Sequence, residues 1–119
     1  MRAAAVALVA GVLLAGCGGG GSTQPAGSTK VTMTEFKFDP STINISAGKA
    51  VFFLVNGGTT SHDMIIRDGS GNKVAGSELI SAGDSFVFTV DSLAAGTYTY
   101  FCDQTGHEAA GMKGTLTVS

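Results

Sequence analysis

The chain of 119 residues has no tryptophan, two prolines, two cysteines, two histidines and only 13 % charged residues. Each scarcity excludes something. Seven basic against nine acidic residues give a net charge of -2, which offers no basic face to a nucleic-acid backbone. The longest N-terminal apolar run, Ala3 to Leu14, falls well short of the ~20 residues that span a bilayer as a helix. No segment repeats apolar residues at helical spacing, and no internal repeat is visible. Glycine is what is plentiful, at 18 residues. With Thr, Val and Ser filling the second half, the composition favours short strands joined by turns.

The N-terminal stretch MRAAAVALVAGVLLAGCGGGG places Arg2 before the apolar run, the pattern of a signal-peptide core. It ends in LAGC, Leu14 to Cys17, which resembles the lipobox of bacterial lipoproteins. That resemblance implies cleavage before Cys17 and diacylglycerol on its thiol. An ordinary secretory signal would imply export all the same. The expected organisation is a signal peptide over 1–16, lipidated Cys17 with a flexible Gly/Ser-rich tether over 17–29, and one domain over 30–119. A tether of this composition has almost no side chain to bury, so ordering it would cost entropy without return. The protein is expected outside the cytoplasm, anchored to the outer face of the cytoplasmic membrane or periplasmic. With Cys17 acylated, Cys102 has no disulfide partner. A lone thiol in an oxidising compartment calls for burial or a metal.

From Lys30 onward the chain reads as strands. INIS puts Ile43 and Ile45 on one face, AVFFLVN reads as a central strand, and DGSGN is a turn. SFVFTV alternates cleanly. Residues Lys73 to Asp84 are ambiguous and could hold one helical turn. Seven or eight short strands in the absence of helix predict an all-β, Greek-key β-sandwich. In TYTYFC, alternation puts Tyr98, Tyr100 and Cys102 on one face, with the cysteine pointing inward at the strand's end.

Beyond that strand runs CDQTGHEAAGM, with Cys102, His107 and Met112 at five-residue intervals in a loop containing Gly106 and Gly111. One loop can bend three such donors around a point. Thiolate and imidazole together suit copper, and a trigonal His2Cys set with a long axial Met is the blue-copper arrangement. It needs a second imidazole, and His62 is the remaining histidine. Taken singly, Cys102 could be a buried thiol, His107 a polar loop residue and Met112 an apolar plug.

The stretch GTYTYFCDQTGHEAAGMKGTLTV resembles the copper-binding end of the cupredoxins, the plastocyanin, azurin and auracyanin family, and SHDMII resembles the segment holding that family's first histidine. The resemblance implies a cupredoxin-like sandwich with one copper ion on His62, Cys102, His107 and, weakly, Met112. It implies a one-electron carrier, not an enzyme, serving a redox protein such as a c-type cytochrome or a membrane-bound oxidoreductase. A monomer is expected.

Three departures stand out. Asp63 occupies the place of a usual Asn, and Asp103 follows the cysteine where a hydroxyl residue is common. Two carboxylates near the site would repel one another and favour Cu(II), so a low reduction potential is expected. Thr105 stands where a proline is frequent. Glu108 and Lys113 are expected to be solvated, and Tyr98, Tyr100 and Met64 to be core. The competing reading is copper storage or delivery without redox turnover, but the chain lacks Met-rich or His-rich tracts. A metal-free binding sandwich is a further alternative, and zinc could occupy the same donors. Enzymes built on such domains need more histidines than two.

Overall fold

The computed structural model describes residues 22–119. The expected signal peptide, Cys17 and the start of the tether lie outside the described residues. Nine strands form two sheets, and no helix is present among the described residues. They are β1 Thr29–Thr34, β2 Lys37–Asp39, β3 Thr42–Ile45, β4 Gly48–Asn56, β5 Ile65–Arg67, β6 Lys73–Gly76, β7 Ser85–Leu93, β8 Gly96–Phe101 and β9 Lys113–Val118. One sheet has the order β2-β1-β4-β7 and the other β3-β9-β8-β5-β6, with β1–β4 and β3–β9 the parallel pairs.

Alternation decides which side chains meet between the sheets. Val31 and Met33 of β1, Phe52 and Leu54 of β4, and Phe88 of β7 face Ile43, Ile66, Tyr100, Leu116 and Val118 of the other sheet in one buried cluster. Each such side chain contributes on the order of 1.5–3 kcal/mol by leaving water. Phe52 and Phe88, cross-strand partners, stack with tilted rings 5.8 Å apart.

Three expectations are corrected. The strand count is nine because the short β2 and β6 join as additions at the sheet edges. The helical turn considered for Lys73 to Asp84 does not form. Lys73–Gly76 pairs with β5, and Ile80 makes an isolated antiparallel bridge to His62. The tether also ends earlier than Thr29. Ser22 N–H donates to Ser85 Oγ at 2.7 Å, Ser28 closes a turn onto Pro25 O at 3.2 Å, and Thr29 already pairs opposite Phe52. In each case backbone polar groups find partners, by strand pairing at β2, β6 and Thr29 and by local or isolated hydrogen bonds at Ser22, Ser28 and Ile80.

The strand that delivers the cysteine is locked by an aromatic-over-glycine contact. Tyr100 is fully buried opposite Gly114, and its hydroxyl donates to Pro40 O at 2.6 Å. A Cβ at position 114 would collide with the Tyr100 ring and lie 2.6 Å from Ser41 O. Gly114→Ala should therefore cost about 1–3 kcal/mol of stability, as overpacking does. An unchanged denaturation midpoint would show that the ring can yield.

Candidate metal centre

His62 sits in the connection between β4 and β5 and is fully buried. Its backbone is clamped on both sides by Ile80, with His62 N–H to Ile80 O at 3.1 Å and Ile80 N–H to His62 O at 2.8 Å. The loop ahead of it is organised by buried Asn56. The Asn56 amide donates to Thr60 O and Ile80 O, both at 2.8 Å, and its oxygen accepts from Gly58 N–H at 3.0 Å. The same residue thus shapes the loop and ties it to Ile80, the residue that bridges His62.

The His62 ring is held at both nitrogens. Nδ1 points to the His107 Nδ1 at 3.2 Å and to the Cys102 Sγ at 3.9 Å. Nε2 lies 3.3 Å from Glu35 Oε1. That oxygen also accepts from Thr59 N–H at 2.7 Å, Thr60 N–H at 2.8 Å and Thr60 Oγ1 at 3.1 Å. The two backbone donors pull the Glu35 carboxyl down to about 2. Burial lowers the His62 pKa, with Glu35 opposing it.

The second set of donors comes from the loop between β8 and β9. Cys102 is a free, buried thiol just past the end of β8. Burial pushes its pKa up, while backbone N–H groups of Asp63 and Gln104 pull the other way. Cys102 N–H donates to Met112 O at 3.2 Å, and Met112 N–H to His107 O at 3.1 Å, so the loop folds back on itself. Gly106 and Gly111 carry the positive φ values, 80° and 113°, that this return path requires. His107 Nδ1 reaches the Cys102 Sγ at 3.4 Å, and Met112 is fully buried.

The donor set fits a single transition-metal ion. One sulfur and two imidazole nitrogens lie within 4.8 Å of one another, brought together from positions 62, 102 and 107. Donors 2.0–2.3 Å from a common centre in a trigonal plane would be separated by about 3.5–3.8 Å. The observed 3.2, 3.4 and 3.9 Å bracket that range. Soft thiolate with two imidazoles is a copper-type set.

Asp63 and Asp103 do not both crowd the donors as free carboxylates. Asp63 Oδ1 accepts from Asp103 N–H at 2.9 Å, joining the two donor loops, which is the bracing an asparagine would supply. Burial, reinforced by the Asp103 side chain, holds the Asp63 carboxyl up at about 6, and Asp103 is lowered in turn. Glu108 is not simply solvated, contrary to expectation. Arg67 of β5 grips it with two hydrogen bonds, at 3.1 and 2.5 Å, and lies over the Phe101 ring at 4.3 Å. The pair is about a third exposed, so it contributes at most about 1 kcal/mol. Phe36, 42 % exposed, meets the His107 ring edge-on at 5.0 Å.

Four of these residues escape a reading of the sequence: Glu35, Phe36, Asn56 and Arg67. Each touches its partner across more than twenty positions, or works through backbone atoms, and neither leaves a periodic or motif signal. Tyr98, Tyr100 and Met64, by contrast, pack in or against the core as alternation suggests.

Residues 25–119 match the sequence profile of the family described as copper binding proteins, plastocyanin/azurin family. The chain is similar to the plastocyanin of Dryopteris crassirhizoma, 42 % identical over 94 residues that cover 70 % of this chain and 88 % of that protein. It is likewise similar to the plastocyanin of Scenedesmus fuscus, 36 % identical over 68 % of this chain and 85 % of that one. Among solved structures, auracyanin B superposes with a TM-score of 0.71 at 25 % identity, covering 82 % of this chain and 92 % of that one.

Proposed function

Because the chain belongs to the plastocyanin/azurin family of copper-binding proteins, we propose that His62, Cys102, His107 and Met112 hold its one copper ion and that it carries single electrons between redox proteins outside the cytoplasm. Its plastocyanin and auracyanin relatives are blue copper electron carriers, and the protein is a type 1 copper electron-transfer protein of the same kind. The observation that carries the ligand assignment is the convergence of two imidazole Nδ1 atoms and one thiol from loops forty positions apart.

Bound copper supplies a one-electron couple between Cu(I) and Cu(II). The chain's part is to hold the donors still. Ile80 fixes the backbone of His62, Met112 and His107 are tied through the loop, and Asp63 links the two donor loops. Donors fixed in this way need little rearrangement when the charge changes. His107 is half-buried with exposed Ala109 and Ala110 beside it, and these small residues let a partner approach the ring closely. We read the partner as a c-type cytochrome or a membrane-bound oxidoreductase, and the working form as a monomer, a carrier and not an enzyme.

In this reading the mature protein begins at lipidated Cys17 on the outer face of the cytoplasmic membrane or in the periplasm. Tethering then raises its concentration near membrane-bound partners. Cys17→Ser should release the protein from the membrane fraction; retention would remove the anchor from the account. Storage or delivery is less well supported, because Met33, Met64 and Met112 are all fully buried.

The test is the oxidised, copper-loaded full chain. An intense thiolate-to-copper band in the visible, bleached reversibly by reduced cytochrome c, is expected. Copper bound stoichiometrically without that band would refute the ligand set. Asp63→Asn removes a buried carboxylate while keeping an acceptor for Asp103 N–H. It should raise the reduction potential, shifting the Cu(II)/Cu(I) ratio at fixed potential on the order of tenfold. A potential that stayed or fell in a redox titration would show that this charge is not felt at the site.

A further inference from the structure

We propose that Glu35 is a positioning residue for the copper centre, orienting His62 through Nε2 and biasing the site toward the oxidised state. The inference rests on the ligand assignment above and goes beyond it to a residue outside both donor loops.

An imidazole that offers Nδ1 to a metal must carry its proton on Nε2, and inside a protein that N–H needs an acceptor. His62 is fully buried, and the acceptor facing its Nε2 is the Glu35 carboxylate at 3.3 Å. Glu35 belongs to the turn between β1 and β2, 27 positions before the histidine. It does not reach there loosely. Thr59 and Thr60 N–H and the Thr60 hydroxyl hold the same oxygen, so the carboxylate is fixed to the loop that carries His62. The next residue, Phe36, packs edge-on against His107. One two-residue turn therefore touches both imidazoles, meeting His62 at the nitrogen that does not face the thiol.

The consequence is electrostatic as well as geometric. A carboxylate on the far nitrogen stabilises positive charge on the imidazole and what it binds, more for Cu(II) than for Cu(I). A neutral acceptor, such as a backbone carbonyl, would orient the ring without that bias. Negative charge beside the oxidised site thus comes from Glu35 as well as from the Asp63 carboxylate that joins the donor loops.

Glu35→Gln separates the two effects. The amide oxygen still accepts from Thr59 and Thr60 N–H, but the charge is gone. The full-length, copper-loaded variant should keep its thiolate-to-copper band while its reduction potential rises by about 59 mV, a tenfold change in the Cu(II)/Cu(I) ratio. Glu35→Ala, which also removes the acceptor, should release copper to a chelator some 10–100-fold more readily. A band in the wild type with no change of potential in Glu35→Gln would overturn this proposal and leave the copper assignment standing. Absence of the band in the wild type would instead overturn the assignment. The wild-type Cu(I) protein supplies a check that needs no variant. The His62 Nε2 proton should give a slowly exchanging NMR signal, and rapid exchange with solvent would refute the hydrogen bond.

Discussion

Replacing Cys102 by serine is expected to abolish the visible thiolate-to-copper band altogether and, with it, electron exchange with a partner. The physical reason lies in the donor set. Cys102 contributes the only thiol among the described ligand candidates, and its Sγ stands 3.4 Å from His107 Nδ1 and 3.9 Å from His62 Nδ1. A serine oxygen is harder, keeps its proton at neutral pH and has no low-energy charge-transfer transition to copper. Packing should barely change, since the side chain is small and buried and its N–H bond to Met112 O remains. Stability then offers a second readout. With free copper a thousandfold above its dissociation constant, the wild type gains about 4 kcal/mol over the apoprotein. Most of that gain should vanish in Cys102→Ser, while the apoprotein unfolds much as before. A variant that stayed blue would move the thiolate role elsewhere and dissolve the assignment.

Asn56→Ala is expected to do the most damage to the fold that holds the site. The side chain is 1 % exposed and makes three hydrogen bonds, two as donor to Thr60 O and Ile80 O and one as acceptor from Gly58 N–H. Alanine leaves all three backbone groups without that partner. Unsatisfied buried groups cost about 1–3 kcal/mol each. Because water can reach the outer part of this loop, a total of about 2–4 kcal/mol is expected. For a domain of this size that lowers the melting temperature by some 10–25 °C. The Arg67–Glu108 pair, held by two charged hydrogen bonds but about a third exposed, should matter less on deletion because water can reach both partners. Function should suffer too. Thr60 and Ile80 lose their common anchor, the bridge that clamps His62 loosens, and copper should dissociate faster. A variant as stable as the wild type would show that the 56–62 loop is organised some other way.

Much of this site is legible in the order of the residues. The interval Cys102, His107, Met112 is local, so the chain displays it directly, and alternation in TYTYFC points the thiol inward as observed. His62 has no fixed spacing to the other donors and is reached by elimination and by the resemblance of SHDMII to the family's first histidine segment. Its arrival beside the thiol depends on the Ile80 bridge, and the segment holding Ile80 is the one stretch whose pattern fits neither helix nor strand clearly. Asp63 stands out as unusual at its position, yet residue type alone suggests simple repulsion. Only the fold shows it accepting a hydrogen bond from Asp103 N–H and taking over the bracing role. Glu108 reads as solvated because nothing nearby in the chain can pair with it. Its partner Arg67 is 41 positions away.

What the amino-acid order determined alone was whatever short range controls. Strand alternation set which faces are buried, the glycines at 106 and 111 permitted the return of the loop, and residue chemistry selected the metal class. The tertiary structure decided what needs two distant segments at one place: the approach of His62, the bracing between Asp63 and Asp103, and the reach of Glu35 to Nε2. Side-chain period and turn chemistry are properties of neighbours along the chain. A hydrogen bond between distant segments exists only after the core has closed and fixed their register.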